Sequence, residues 1–198
     1  MNLNDNNNME YPEEVIGEIA AHMGEIIRLL GEDPDREGLV KTPVRAAKAL
    51  YYATEGYRHT EEETVGDAVF TCPSDQMIIV RDIEFYSFCE HHILPFFGKV
   101  SIGYLPTGKM IGLSKLARIV NLYARRLQVQ ERLTHEICEA VRRAVGARGV
   151  IVACSGEHLC MKMRGVEKQD SSTVTVATSG DFDRLPELRR EFFESLKC

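Results

Sequence analysis

The sequence contains no long apolar run and no excess of positive charge, and each absence excludes a class of protein. No hydrophobic stretch approaches the roughly 20 residues that a membrane-spanning helix needs. The N-terminus lacks the basic and apolar regions of a secretory signal, so we expect a cytoplasmic protein. With a net charge of −6, the chain is not expected to bind nucleic acid, because general nucleic-acid binders are more often basic. A small anionic ligand would therefore need a local cationic pocket.

The length and composition are those of an ordinary globular protein. Of the 198 residues, 44% are hydrophobic and 27% are charged, which suffices for one domain with a core and a helical appendage. We expect a disordered polar tail over residues 1–10, an N-terminal helical part over residues 11–75 and the main domain over residues 76–198.

Hydrophobic periodicity predicts both helices and strands. Apolar residues at helical spacing indicate a helix over residues 11–31 that Gly31 ends, and Thr42-Pro43 indicates the N-cap of a second helix. The polar segment 57–75 is expected to be a linker. The remaining predictions are strands over 77–80, 84–88, 99–104, 149–153 and 173–177, a break at Pro95 and Gly98, and helices over 113–126, 130–145 and 186–196. This order favours an α+β fold with an antiparallel sheet.

Two short clusters, Cys89-Glu90-His91-His92 and His158-Leu159-Cys160, carry residue types that bind zinc. Thiolates would come from Cys89 and Cys160, while His91, His92 and His158 compete for the imidazole position. Because the spacing is not a standard zinc-finger pattern, spacing alone favours a metal site and ordinary thiols about equally.

The other cysteines have simpler interpretations. Without an export signal, free thiols are expected rather than disulfides. Cys72, Cys138 and Cys198 are interpreted as small buried apolar residues or exposed ones. Cys154 stays open, either as a further ligand or as a strand residue alternating with Val152.

Three ligands with two spare histidines favour a catalytic zinc over a structural one, since structural sites are usually closed by four ligands. An imidazole titrates near neutrality, so His91 and His158 could move protons. Zinc would make hydroxide available by lowering the pKa of its water.

Basic residues near these clusters suit an anionic ligand. Lys115 and Arg118 share a helical face, and Arg164 and Arg45 could converge with them on a polyphosphate; the alternative is a solvated helix surface. Glu131, beside Gln130 at a helix start, could accept two N–H bonds from a purine edge or could simply favour the helix dipole.

The chain resembles the GTP cyclohydrolase I family. The motifs that carry the resemblance are Cys89-Glu90-His91-His92, Gly98-Lys99-Val100, Ile102-Gly103-Tyr104, the run 112–120 beginning Gly112-Leu113-Ser114-Lys115, the run 128–134 beginning Gln128-Val129-Gln130-Glu131, and the run 158–165 beginning His158-Leu159-Cys160. Together they cover residues 40–195, and the N-terminal helix more weakly.

This resemblance implies a tunnelling fold over residues 76–198, in which an antiparallel sheet carries paired helices on one face. It implies hydrolysis of GTP to formate and 7,8-dihydroneopterin triphosphate, the first step toward folate-type pterins. It also implies a homodecamer of two stacked pentamers, with active sites at subunit interfaces.

Residue roles follow from the same resemblance. Zinc (Zn²⁺) would be held by Cys89, His92 and Cys160, and the water it activates would attack C8 of guanine. His158 would protonate N7, His91 would assist opening of the ribose, and Ser114 would lie near the ribose. Substrate contacts are implied for Gln130 and Glu131 at the guanine, for Lys115, Arg118 and Arg164 at the triphosphate, and for Arg45 from another subunit.

Two alternatives belong to other classes. One is a tunnelling-fold relative with other pterin or deazapurine chemistry, which should not combine both metal clusters with a Gln-Glu pair such as Gln130-Glu131. A non-enzymatic oligomer stapled by zinc should have a closed site of four ligands. A zinc nucleobase deaminase is disfavoured, because no Pro-Cys-x-x-Cys run accompanies a His-x-Glu.

Overall fold

The computed structural model describes residues 10–197. The predicted tail therefore lies outside the described residues except for Glu10, and Cys198 lies outside them too. The chain separates between Thr54 and Glu55 into two compact units. The functional division near residue 75 stays a prediction.

The N-terminal unit is a pair of helices, α1 (Glu13–Leu29) and α2 (Thr42–Ala53). They pack through three buried side chains, those of Ile16, Ala20 and Ala47. The predicted N-cap at Thr42 is wrong. Lys41 occupies the cap position without a side-chain hydrogen bond, and Thr42 is already helical. Proline lacks only a donor that the first helical turn leaves unused, so the helix can begin one residue before Pro43.

The second unit contains a five-stranded sheet and a two-stranded ribbon. The strands are β1 (Val69–Thr71), β2 (Ile78–Cys89), β3 (Leu94–Leu105), β4 (Lys109–Ile111), β5 (Leu127–Gln128), β6 (Gly149–His158) and β7 (Thr173–Gly180). The large sheet has the order β5-β2-β3-β6-β7, and β1 pairs with β4 in the ribbon. All pairings are antiparallel except that of the short β5 with β2.

Helices connect and cover these strands. They are α3 (Glu61–Val65), α4 (Leu113–Ala124), α5 (Gln130–Val145), α6 (Leu159–Lys162), α7 (Asp181–Arg184) and α8 (Pro186–Ser195), preceded by a 3₁₀ turn, Glu55–Arg58. None of the described helices is long and apolar enough to cross a membrane.

Alternation along the strands gives the sheet two different faces. Val150, Val152 and Cys154 of β6 point into the main core, which α4 and α5 complete. Ile151 points the other way, into a smaller cluster with Phe182 of α7 and Phe192 of α8. The predicted α+β fold, with an antiparallel sheet and paired helices on one face, is confirmed.

The two separate strands predicted over residues 77–88 form the single strand β2. Its register with β3 shifts between Val80 and Ile83, where Asp82 has a φ of 57°. Such a bulge adds an unpaired residue without ending the strand, and aspartate tolerates the left-handed conformation. The polar residues that interrupt the apolar pattern of the sequence therefore mark a bulge within β2 and do not end the strand.

The break predicted at Pro95 and Gly98 is also absent, because β3 runs through both residues. Gly98 pairs with Gly156 of β6, and a Cβ on Gly98 would lie only 1.9 Å from the Ser155 carbonyl oxygen. This glycine permits a close approach of two strands and does not mark a turn.

The expected linker 57–75 contains ordered elements instead. Thr60 and Glu63 form a reciprocal capping box at the start of α3. Glu61 then accepts hydrogen bonds from the hydroxyl of Tyr123 in α4 and the guanidinium of Arg143 in α5. The polar residues that suggested a linker thus attach α3 to α4 and α5 through hydrogen bonds and an ion pair.

Candidate active site

The register of three strands brings the two predicted metal clusters together. Cys89 ends β2 and pairs with Leu94, the first residue of β3. Two residues further along β3, Phe96 pairs with His158, which ends β6. Because α6 follows β6 directly, Cys160 lies beside Cys89 although the two are far apart in sequence.

Cys89, His92 and Cys160 form the predicted ligand set. One ligand atom from each lies within 4.8 Å of the others, and Cys89 Sγ is 3.8 Å from His92 Nδ1. Cys89 is buried, Cys160 is half-buried and His92 is exposed, so the cluster opens to solvent on one side. Two sulfurs and one imidazole form a donor set suited to zinc with one position left for another ligand.

The electrostatics of the thiols also fit a cation. Burial, followed by the proximity of Cys89, raises the pKa of the Cys160 thiol, while Arg164 partly opposes this rise. A cation between the two sulfurs would offset their mutual repulsion and favour both thiolates.

A four-residue turn between β2 and β3 places His92 near Cys89. The backbone N–H groups of His92 and Ile93 both donate to the Cys89 carbonyl, at 3.2 and 2.8 Å. Ile93 has a φ of 53°, which is costly for a β-branched side chain. The turn that carries the predicted ligand His92 is therefore strained.

His158 lies against a rigid aromatic surface. Its ring stacks on that of Phe96 with centroids 4.6 Å apart and planes 4° from parallel. Burial lowers the pKa of the imidazole, and the carboxylate of Glu131 partly opposes that shift. The neutral ring is thus favoured, and its plane is fixed beside the metal cluster.

His91 differs from its neighbour. Its side chain is 64% exposed, and Nε2 lies 3.8 Å from Oε1 of Glu90. Glu90 in turn accepts a hydrogen bond from Arg132. His91 therefore lies on the open side of the turn with a carboxylate within reach.

The predicted substrate residues lie at three places in the second unit. Ser114 and Lys115 are in the first turn of α4, and Arg118 follows one turn later. Glu131 is exposed in the first turn of α5, and Arg164 is exposed after α6. Arg45 is exposed on α2, in the N-terminal unit.

Lys115 already has a partner. Its Nζ donates to the Thr64 carbonyl oxygen at 3.0 Å, near the C-terminal end of α3. A cation is favourable at that end of a helix. A phosphate held by Lys115 would therefore share or replace this contact.

Gln130, predicted beside Glu131 at the guanine, is buried, with 1% of its surface exposed. Its amide nitrogen lies within hydrogen-bonding distance of the carbonyls of Cys154 and Thr173. Its Oε1 lies 2.9 Å from His158 Nε2. The side chain of Gln130 is thus directed toward His158 within the protein.

Comparison with known proteins decides the family. The family model for GTP cyclohydrolase I matches residues 19–197 of this sequence. The chain belongs to the GTP cyclohydrolase I family. The resemblance stated from the motifs is confirmed.

Relatives from several organisms agree with this family assignment. The GTP cyclohydrolase 1 of Pseudoalteromonas translucida (strain TAC 125) is 55% identical, over 87% of this chain and 94% of that protein. The GTP cyclohydrolase 1 1 of Pseudomonas aeruginosa is 54% identical, over 89% of this chain and 95% of that protein. The GTP cyclohydrolase 1 of Chlorobaculum tepidum is 51% identical, over 91% and 80%.

A solved structure also matches, but distantly. The apo archaeosine synthase QueF-Like is 22% identical, over 54% of this chain and 96% of that chain, with a TM-score of 0.44. A similarity of this size adds nothing to the argument about family or chemistry.

Sequence reasoning missed three features around the family's metal cluster. They are the stacking of Phe96 on His158, the hydrogen bond between Gln130 and His158, and the strained backbone of Ile93. None of the three had a local sequence signal; the stacking, for example, depends on the β3–β6 register that places Phe96 opposite His158.

Proposed function

We propose that this chain is a zinc-dependent GTP cyclohydrolase I that hydrolyses GTP to formate and 7,8-dihydroneopterin triphosphate. This would be the first step of tetrahydrofolate-type pterin biosynthesis. The observation that carries the proposal is the convergence of Cys89, His92 and Cys160 in a member of this family.

Cys89, His92 and Cys160 would hold the metal. When bound, zinc supplies a Lewis acid that lowers the pKa of a coordinated water toward neutrality. The neighbouring protein groups would then bind the purine, position it and transfer its protons.

His158 would deliver a proton to N7 of guanine as the five-membered ring opens. Its environment supports this role, because stacking on Phe96 fixes the ring and burial keeps the imidazole from being permanently charged. His91, which is exposed beside Glu90, would give a proton to the ribose ring oxygen. Ser114 would lie near the ribose during the rearrangement that follows.

Glu131 would read the guanine edge by accepting hydrogen bonds from N1 and N2. It is exposed at the start of α5, whose neighbouring residue Gln130 contacts His158. The recognition residue and the proton donor are therefore linked through the contact between Gln130 and His158.

The triphosphate would bind Lys115, Arg118 and Arg164, with Arg45 supplied by another subunit. The N-terminal turn of α4 supports an anion there, because its backbone N–H groups carry partial positive charge. Cationic side chains in an otherwise acidic protein would make this pocket selective for the charged end of GTP.

We further propose a homodecamer of two pentameric rings, a cytoplasmic location, and a catalytic role for residues 76–198. The position of β7 at one edge of the sheet supports assembly, since an edge strand can pair with another chain.

The deciding experiment is to incubate the purified protein with GTP and follow neopterin fluorescence after oxidation, with formate measured separately. We expect product from the zinc-loaded protein, loss of product with a chelator, and recovery on adding zinc. Cys160→Ala should lose both metal and turnover, whereas Cys72→Ala, which removes a buried thiol outside the cluster, should keep both.

Three results would refute parts of this proposal. Formate release without metal would reject zinc dependence, and stoichiometric zinc in Cys160→Ala would reject that ligand. Binding of zinc without any turnover of GTP would favour a stapled oligomer or a relative with other chemistry.

A further inference from the structure

Gln130 is oriented by its surroundings in only one way. Its amide nitrogen is 3.1 Å from the Cys154 carbonyl oxygen and 2.9 Å from the Thr173 carbonyl oxygen. Both atoms are acceptors only, so they require the NH₂ group. Rotating the amide by half a turn would place its oxygen against two carbonyls and leave a buried repulsion uncompensated.

This orientation determines what His158 must do. The remaining amide atom, Gln130 Oε1, is an acceptor and lies 2.9 Å from His158 Nε2. Nε2 must therefore carry a hydrogen and donate it. In the neutral ring, Nδ1 is then the nitrogen with a free lone pair.

The amide has no donor left for a substrate. Thr175 Oγ1 lies 3.2 Å from Nε2 of Gln130, as a third neighbour of the same NH₂ group. Thr134 Oγ1 donates its hydrogen to the backbone carbonyl of Gln130 and therefore accepts from Thr175 Oγ1. With 1% of its surface exposed, Gln130 is connected to the protein on every side.

Gly156 provides the space for this hydrogen bond. A Cβ at this position would lie 2.5 Å from Gln130 Oε1 and 3.3 Å from its Cδ. An alanine would therefore push the amide away from His158 while leaving both functional side chains in the sequence.

We infer that Gln130 is a positioning residue that holds His158 as the Nε2–H tautomer, leaving Nδ1 as the nitrogen that can take up a proton and then pass it to the purine. Its role is thus to orient His158, whose Nδ1 acts as a donor only after it has taken up a proton, and Gln130 does not contact guanine. Phe96 fixes the plane of the ring, and Gln130 fixes its rotation within that plane. The catalytic consequence rests on the proposed function, whereas the tautomer does not.

The direct test is the ¹⁵N spectrum of histidine-labelled, zinc-loaded protein, with His158 assigned from a His158→Asn sample. We expect the Nε2–H tautomer in the wild type and a mixture of tautomers in Gln130→Met. A wild-type His158 protonated on Nδ1 alone would overturn the inference, whatever the enzyme turns over.

Kinetics provide the second readout. In Gln130→Met and in Gly156→Ala, kcat should fall about 10- to 100-fold, because misplacing a catalytic group has effects of this size. KM for GTP and zinc content should stay near wild type. A raised KM with unchanged kcat would instead make Gln130 a guanine contact.

Gln128→Met is the matched control. Gln128 is equally buried, but its amide donates to the Tyr123 carbonyl and to Glu136 and does not contact His158. The same substitution there should leave kcat and the tautomer unchanged. A kcat loss equal to that of Gln130→Met would assign the effect to general loss of packing and reject positioning.

The outcomes also separate this inference from the proposed function. If the wild type releases no formate from GTP, the proposed function fails, while the ¹⁵N spectrum still decides the tautomer. If turnover is normal but Nδ1 carries the hydrogen, only the positioning role fails.

Discussion

Replacing Gly98 with alanine should disturb both the sheet and the metal cluster. The new Cβ would lie 1.9 Å from the Ser155 carbonyl oxygen and 2.8 Å from the Gly156 Cα. These are backbone atoms, so no change of rotamer can relieve the overlap, and β3 and β6 must separate by about 1 Å.

The cost follows from the hydrogen bonds that this separation weakens. The β3–β6 ladder continues on both sides of this pair, and each backbone hydrogen bond in it contributes about 0.5–1.5 kcal/mol. Added overpacking brings the expected loss to about 2–4 kcal/mol. For a chain of this size, that corresponds to a fall in Tm of roughly 4–16 °C. Because His158 and Cys160 follow Gly156 closely, zinc retention should fall as well.

Thermal unfolding monitored by circular dichroism, with zinc content measured on the same samples, checks this prediction. Gly17→Ala is the control, since its added Cβ in α1 would have no neighbour within 4 Å beyond the adjoining turns of its own helix. That variant should be as stable as the wild type or slightly more stable. A wild-type Tm and full zinc in Gly98→Ala would refute the close-approach argument.

Three further predictions concern recognition, charge and pH. Glu131→Gln should raise KM for GTP about 10- to 100-fold, as expected for a lost charged hydrogen bond. The control Glu187→Gln, in the first turn of α8, should leave KM unchanged. Steady-state kinetics measure both, and an unchanged KM in Glu131→Gln would favour the helix-dipole interpretation. Arg164→Ala should weaken binding of GTP more than that of guanosine in calorimetry, and equal losses would remove Arg164 from the triphosphate pocket. Glu61→Gln should lower the free energy of unfolding by about 1 kcal/mol at neutral pH, because Arg143 chiefly lowers the pKa of this carboxyl. That stabilisation is present above the unfolded pKa near 4.5 and is lost as the pH falls through the lower folded pKa, so denaturant titrations should converge in acid; a difference independent of pH would contradict it.

Periodicity predicted most elements because it reports which side of each element is buried. The helices α4 and α5 begin at the predicted residues, 113 and 130, and α8 begins at the predicted Pro186. Composition was less informative between residues 57 and 75. There, polar side chains stabilise α3 through Glu61, and polarity alone does not distinguish a solvated segment from one attached by charge.

The metal cluster was predictable from residue types, whereas the surroundings of His158 were not. Cysteine and histidine bind zinc in any fold, so Cys89 and Cys160 could be named without coordinates. The role of Gln130 depends on β7 packing next to β6, since Thr173 fixes the amide orientation. No local pattern encodes that pairing.

The left-handed backbone at Ile93 has a consequence for engineering the hairpin. An isoleucine in this conformation stores roughly 1–2 kcal/mol that glycine would release. Glycine would also widen the set of shapes open to the loop, so the imidazole of His92 would sample more positions before capturing an ion. A variant in which glycine relieves this strain would therefore bind zinc more slowly.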